Sequence, residues 1–113
     1  MEVGALPPTL IRLELVHCPK LRKIEGLYNV VKLRELTISD CHELGSLPCL
    51  ERLVSLEKFS AHQCPKLMGI QGLAKLTKLR VLHVDNYYAL EQPTDVEAIM
   101  AQESNYVEEL VGR

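Results

Sequence analysis

Four stretches of this chain can be laid over one another, without a gap, at a spacing of 23 residues. Leu10-Ile11-Arg12-Leu13-Glu14-Leu15-Val16-His17-Cys18 matches Leu33-Arg34-Glu35-Leu36-Thr37-Ile38-Ser39-Asp40-Cys41. Leu56-Glu57-Lys58-Phe59-Ser60-Ala61-His62-Gln63-Cys64 follows, and then Leu79-Arg80-Val81-Leu82-His83-Val84-Asp85-Asn86-Tyr87. The shared pattern is L-x-x-L-x-L-x-x-C. The second half of the unit repeats too: Leu21, Leu44, Leu67 and Leu90 share a column, as do Ile24, Leu47 and Ile70. Gly26-Leu27, Cys49-Leu50 and Gly72-Leu73 come next, then Val30, Leu53 and Leu76. Composition alone does not hold such a register, so the fold is expected to be one unit used repeatedly.

Each column has a physical meaning. The L-x-L segment alternates apolar and polar, the period of a half-buried strand. Strands are therefore expected near 12–16, 35–39, 58–62 and 81–85, stacked in parallel about 4.8 Å apart. Leu13 and Leu15, Leu36 and Ile38, Phe59 and Ala61, and Leu82 and Val84 then point inward. Pro19 and Pro65 suit a turn after the cysteine and not a continuing strand. The return leg, I-x-G-L-x-x-L, is too short for a long helix and reads as irregular or 3-10 structure. With one Phe and no Trp among 113 residues, the core must be built from Leu, Ile and Val. That suits a layered interior in which neighbouring units share their leucines.

The expected fold class is an α/β repeat: a leucine-rich-repeat solenoid with a concave parallel sheet, an irregular or 3-10 convex side and a C-terminal capping helix. Residues 1–9 read as a partial preceding coil and 10–92 as four repeats, the last incomplete. Residues 93–113 read as the cap. There Pro93 interrupts the pattern, Thr94 and Glu97 form a T-x-x-E capping box, and Val96, Ile99, Met100, Val107, Leu110 and Val111 fall on one helical face over 95–111. The uncovered first unit suggests a fragment cut from a longer array, with Met1 supplied at the cut.

The candidate chemistry is sparse. Cys18, Cys41 and Cys64 share one inward column, and Tyr87 takes the fourth place. No C-x-x-C pair is present to begin a zinc site. Three stacked cysteines cannot pair evenly, so a reduced structural ladder is expected, which favours a cytosolic or nuclear location. Cys49 stands in a glycine column as an incidental small residue. His62 and His83 come close to Asp85, but no nucleophile with a placed base and no Gly-rich phosphate loop accompanies them. No catalytic residue, metal or cofactor is assigned. The net charge of -2 argues against nucleic acid and anionic membranes as partners.

The outward columns read Arg12, Glu35, Lys58, Val81; then Glu14, Thr37, Ser60, His83; then Val16, Ser39, His62, Asp85. Charges alternate in the first column, which favours pairing across the sheet. As a partner-binding face, the concave side would offer Arg12, Glu14, Glu35, Thr37, Ser39, Lys58, Ser60, His62, His83 and Asp85.

The run L-x-x-L-x-L-x-x-C-P-K-L-x-x-I-x-G-L-x-x-L, carried best from Leu13 to Leu27 and from Phe59 to Leu73, resembles the C-terminal repeats of plant nucleotide-binding leucine-rich-repeat (NLR) disease-resistance proteins. It is closest to receptors with a Toll/interleukin-receptor-like domain and covers about residues 6–90. The resemblance implies a non-catalytic, cytoplasmic sensor that meets a pathogen effector, an altered host protein or other domains of its own receptor, and helps hold that receptor inactive. Other readings of the pattern are the substrate-recruiting repeats of an F-box ubiquitin-ligase subunit, whose period runs nearer 26 residues, or a free-standing adaptor.

Overall fold

The structure, a computed structural model, describes residues 6–45, 47–67, 70, 72 and 75–84, together with the backbone of 2–3 and 109–112. Its strands are β1 (Glu2–Val3), β2 (Arg12–Val16), β3 (Lys23–Ile24), β4 (Glu35–Ser39), β5 (Lys58–His62), β6 (Val81–Val84) and β7 (Glu109–Gly112). β2, β4, β5, β6 and β7 form one parallel sheet in that order, and β1 pairs with β3 in a second, two-stranded sheet. From β2 to β6 the register is the repeat itself: Leu13 lies beside Leu36, Leu36 beside Phe59, and Phe59 beside Leu82. A 23-residue step returns the chain to the same height on the next strand.

Three tight turns carry the chain out of successive strands. The Leu21, Leu44 and Leu67 amides donate to the carbonyls of Cys18, Cys41 and Cys64 at 3.1, 3.3 and 3.1 Å. Pro19 and Pro65 sit at the second position of two of these turns, where their fixed φ is already suitable. The Leu33, Leu56 and Leu79 amides close another turn on Val30, Leu53 and Leu76. Between these lie the 3-10 helix Gly26–Asn29 in the first unit and the Leu53-to-Leu50 bond in the second. All of these turn-closing leucines are buried, so the residue that satisfies the backbone also fills the core.

Burial follows the columns. Leu21, Leu44 and Leu67; Ile24 and Ile70; Leu33, Leu56 and Leu79; and Leu36, Phe59 and Leu82 are all buried. Gly72 has φ +91°, and a Cβ there would stand 2.5 Å from the Glu51 amide nitrogen and 2.9 Å from the Cys49 sulfur. Position 72 therefore requires glycine for the return legs to approach. Cys49 is exposed, and it borders that close approach.

The C-terminal end departs from expectation. Residues 109–112 belong to β7, a fifth parallel strand, where a capping helix was expected to reach 111. Val81 pairs with Glu109 and Leu82 with Leu110. The physical reason is the open edge of β6: its row of N–H and C=O groups is satisfied by an added strand, which outweighs the helical periodicity of so short a segment. The remainder of the expected cap, 93–108, lies outside the described residues, as does the fourth turn around Tyr87 and Leu90.

Candidate functional site: the outward face of the sheet and its strand starts

The side chains that alternate with the core residues stand in rows across the sheet. Arg12, Glu35, Lys58 and Val81 are neighbours in register, as are Glu14, Thr37, Ser60 and His83, and Val16, Ser39 and His62. Arg12 pairs with Glu14 on its own strand and with Glu35 on the next, the latter at 3.3 Å. Glu35, Thr37, Ser39, His62 and His83 are half-buried, and Arg12, Glu14 and Lys58 are exposed. The rings of His62 and His83 lie with centroids 6.1 Å apart, tilted by 55°. Ser60, expected on the accessible face, is only 4% exposed. It is the smallest side chain of its row and lies between Thr37 and His83 in register. Asp85 lies outside the described residues.

A second line of charges runs along the strand starts, one residue before the first row. In this column Ile11, Arg34, Glu57 and Arg80 follow one another at the 23-residue step. Arg34 Nε donates to Glu57 at 2.6 Å and Arg80 Nη1 reaches the other oxygen at 3.5 Å. The Arg34 hydrogen bond is the main reason that the Glu57 carboxyl titrates below its ordinary value, and Glu57 in turn raises Arg34. The backbone fixes this ladder, since the Arg34, Glu57 and Arg80 amides donate to the carbonyls of Ile11, Arg34 and Glu57 at 2.7–2.8 Å. Ile11, Arg34, Glu35, Glu57, Lys58, Arg80 and Val81 line a shallow groove of about 440 Å³ there. Alternation within the strands does not single this column out, because it precedes them. The 23-residue alignment that isolates its neighbours does display it.

At the opposite ends of the strands, His17, Asp40 and Gln63 all have positive φ, 57°, 57° and 53°. They too are one column, and the left-handed residue is what turns each strand out of the sheet. Its amide continues the ladder: His17 donates to Ser39 O at 2.9 Å and Asp40 to His62 O at 3.0 Å. His and Asp are among the side chains that tolerate this region best, and that is the signal the sequence offers. The Asp40 carboxylate lies between two imidazoles, hydrogen-bonded to His17 Nδ1 and His42 Nε2. An ionised carboxylate only accepts, so both ring nitrogens carry a proton. These bonds, that from His17 foremost, hold the Asp40 carboxyl below its ordinary range.

The cysteine column lies directly beyond. Cys18, Cys41 and Cys64 are thiols, each bonded to the carbonyl two residues earlier, at 3.7, 3.4 and 3.2 Å. Cys41 also reaches Leu15 O at 3.5 Å across the unit boundary, and its burial raises its pKa. Among the described residues no group of three or more His, Cys, Asp or Glu side chains is arranged to hold a metal ion, and no helix is long and apolar enough to cross a membrane. Comparison with family models, curated protein sequences and solved structures returned no match.

Proposed function

We propose that the chain is a leucine-rich-repeat solenoid serving as the ligand-sensing repeat region of a plant intracellular immune receptor of the NLR kind. The module is non-catalytic and needs no cofactor. It works in the cytoplasm or nucleus, and it docks a protein: a pathogen effector, a host protein or another domain of its receptor. One observation carries the docking reading. Polar and charged side chains from four successive strands stand in register on a single face, with Glu35 beside Lys58 near its centre. A rigid sheet presenting such rows recognises the shape and charge pattern of a folded partner without closing on a small substrate. The receptor assignment rests on the C-P-K-L-x-x-I-x-G-L phrasing of the repeats.

The test is a charge exchange. Glu35→Lys combined with Lys58→Glu keeps opposite charges in register on β4 and β5, and Arg12→Glu added to them keeps the pairing that Glu35 makes with Arg12, so that the row is inverted as a whole for a partner. In plant tissue carrying the full-length parent receptor, the exchanged protein is expected to accumulate normally and lose the immune response. Thr37 and Ser39 belong to the same face, and Asp85 continues the Ser39 row in sequence. Larger side chains at these three positions should weaken the response in graded fashion. If the exchange leaves the response intact while changes at Lys23, Lys32 or Lys75 abolish it, recognition belongs to the other side and this reading falls.

A further inference from the structure

The groove at the strand starts is lined by three cations, Arg34, Lys58 and Arg80, and two carboxylates, Glu35 and Glu57, in a chain whose formal net charge is -2. Both carboxylates are engaged. Glu57 holds Arg34 at 2.6 Å and Arg80 at 3.5 Å, and Glu35 accepts from Arg12 at 3.3 Å. Lys58 lies beside Glu35 in register, yet among the described residues no carboxylate comes within ion-pair distance of its Nζ. Arg34 is bonded through Nε, so its two terminal nitrogens still have donors to offer. The backbone holds these two cations together, because the Lys58 amide donates to the Arg34 carbonyl at 3.0 Å. Arg34 immediately precedes β4 and Lys58 opens β5, and each of these strands has a neighbour on both sides. One strand further on, half-buried Val81 gives the groove an apolar wall.

Given the docking role of this face, on which the inference rests, we propose that the groove takes an acidic segment of the protein partner. One carboxylate sits between Arg34 and Lys58, and an apolar side chain two residues away lies on Val81. The spacing follows from the sheet. Adjacent strands are about 4.8 Å apart, and an extended segment crossing them advances about 3.3 Å per residue. Its alternate side chains therefore face the sheet at intervals of about 6.7 Å. From the midpoint between the strands of Arg34 and Lys58, the strand of Val81 lies about 7.2 Å on. An acid and an apolar residue two apart reach both places, whereas adjacent residues point to opposite sides. A carboxylate between a guanidinium fork and an ammonium gains charge-assisted hydrogen bonds from both. Glu57 does not compete for them, because it is already shared by two arginines. Both cations are exposed, so a short segment on its own binds weakly and with a strong dependence on salt.

The experiment is an NMR titration of the 113-residue chain with three capped peptides, Ser-Glu-Ser-Leu-Ser, Ser-Gln-Ser-Leu-Ser and Ser-Glu-Leu-Ser-Ser. The first should shift the backbone amides of Arg34, Lys58 and Val81 saturably, and the effect should fade at high salt. The second lacks the charge and the third lacks the spacing, and both should bind more weakly. Lys58→Gln should weaken the first peptide about fivefold, and Lys58→Arg, which keeps the cation, should restore it. Lys20→Gln makes the same charge change on a strand-exit turn and should leave binding as in the wild type. Thermal unfolding of each variant shows whether it is folded. No saturable shift at the groove overturns the proposal, as does a glutamine peptide that binds equally well. So does an unchanged affinity in folded Lys58→Gln. The plant response decides the docking role separately: an acidic peptide that binds at Lys58 while the charge-exchanged receptor responds normally would sink that role and leave the acidic site standing.

Discussion

Leu13 and Leu15 of β2 hold the same repeat positions as Leu36 and Ile38 of β4, yet the first pair is half-buried and the second is fully buried. The difference is not in the side chains. β4 is covered by β2 on one side and β5 on the other, whereas among the described residues β2 has β4 as its one strand neighbour. In a stack of like units a leucine becomes core by having a unit on each side. The same sequence motif therefore contributes unequally to stability depending on its place in the array.

Four measurements test this contrast. The largest effect is expected at the interior: Leu36→Ala should cost about 2–5 kcal/mol in chemical denaturation, since it leaves a void between Leu13 and Phe59. A mutant that unfolds with the parent would mean that Leu36 is not an interior residue. Next comes the return side of the stack, where Gly72→Ala is expected to cost about 1–3 kcal/mol from its positive φ and its contact with the Glu51 backbone. Gly45→Ala is the control: a Cβ there meets nothing within 4 Å, and stability should barely change.

At the edge, Leu13→Ala should cost only about 1–2 kcal/mol, because the removed atoms were partly in water already. Equal losses at Leu13 and Leu36 would erase the distinction between edge and interior. The smallest effect concerns Asp40, whose carboxyl is lowered by hydrogen bonds from His17 and then His42. A lowered carboxylate pKa in the folded state adds stability above the ordinary carboxylate range, and that stability is lost as pH falls through the lowered value. Asp40→Asn should remove this part of the acid limb. A side-chain carboxyl titration by NMR should place the Asp40 midpoint below that of an ordinary aspartate. A midpoint within the ordinary range would show that the two imidazoles do not hold it in solution.

Much of this arrangement is legible in the amino-acid sequence. The 23-residue alignment places Arg12, Glu35, Lys58 and Val81 in one row because parallel strands joined by equal lengths of chain must share a register. Alternation within L-x-L assigns the inward side of each strand, and Cys-Pro-Lys-Leu announces a turn through the fixed φ of proline. The left-handed column His17, Asp40, Gln63 is less visible. Asn86 continues the column in sequence, but only His, Asp and Asn carry a left-handed preference, so Gln63 hides it.

Other features depend on neighbours that are distant in the chain. Ser60 looks like a surface residue by type and by parity, yet it is buried in the sheet, in register between Thr37 and His83, 23 residues away on either side. Glu57 becomes the bridge between Arg34 and Arg80 only when three units are stacked. At the C-terminus, Leu110 and Val111 fit a helical face, yet they lie in an extended strand against β6. Local pattern determined the unit, its turns and its inward side, because these depend on backbone preference and on the period of hydrophobicity. Tertiary structure decided how deeply each unit is buried, which charges meet and what pairs with the last strand, because burial and hydrogen-bond demand are set by whatever lies on the other side of the strand.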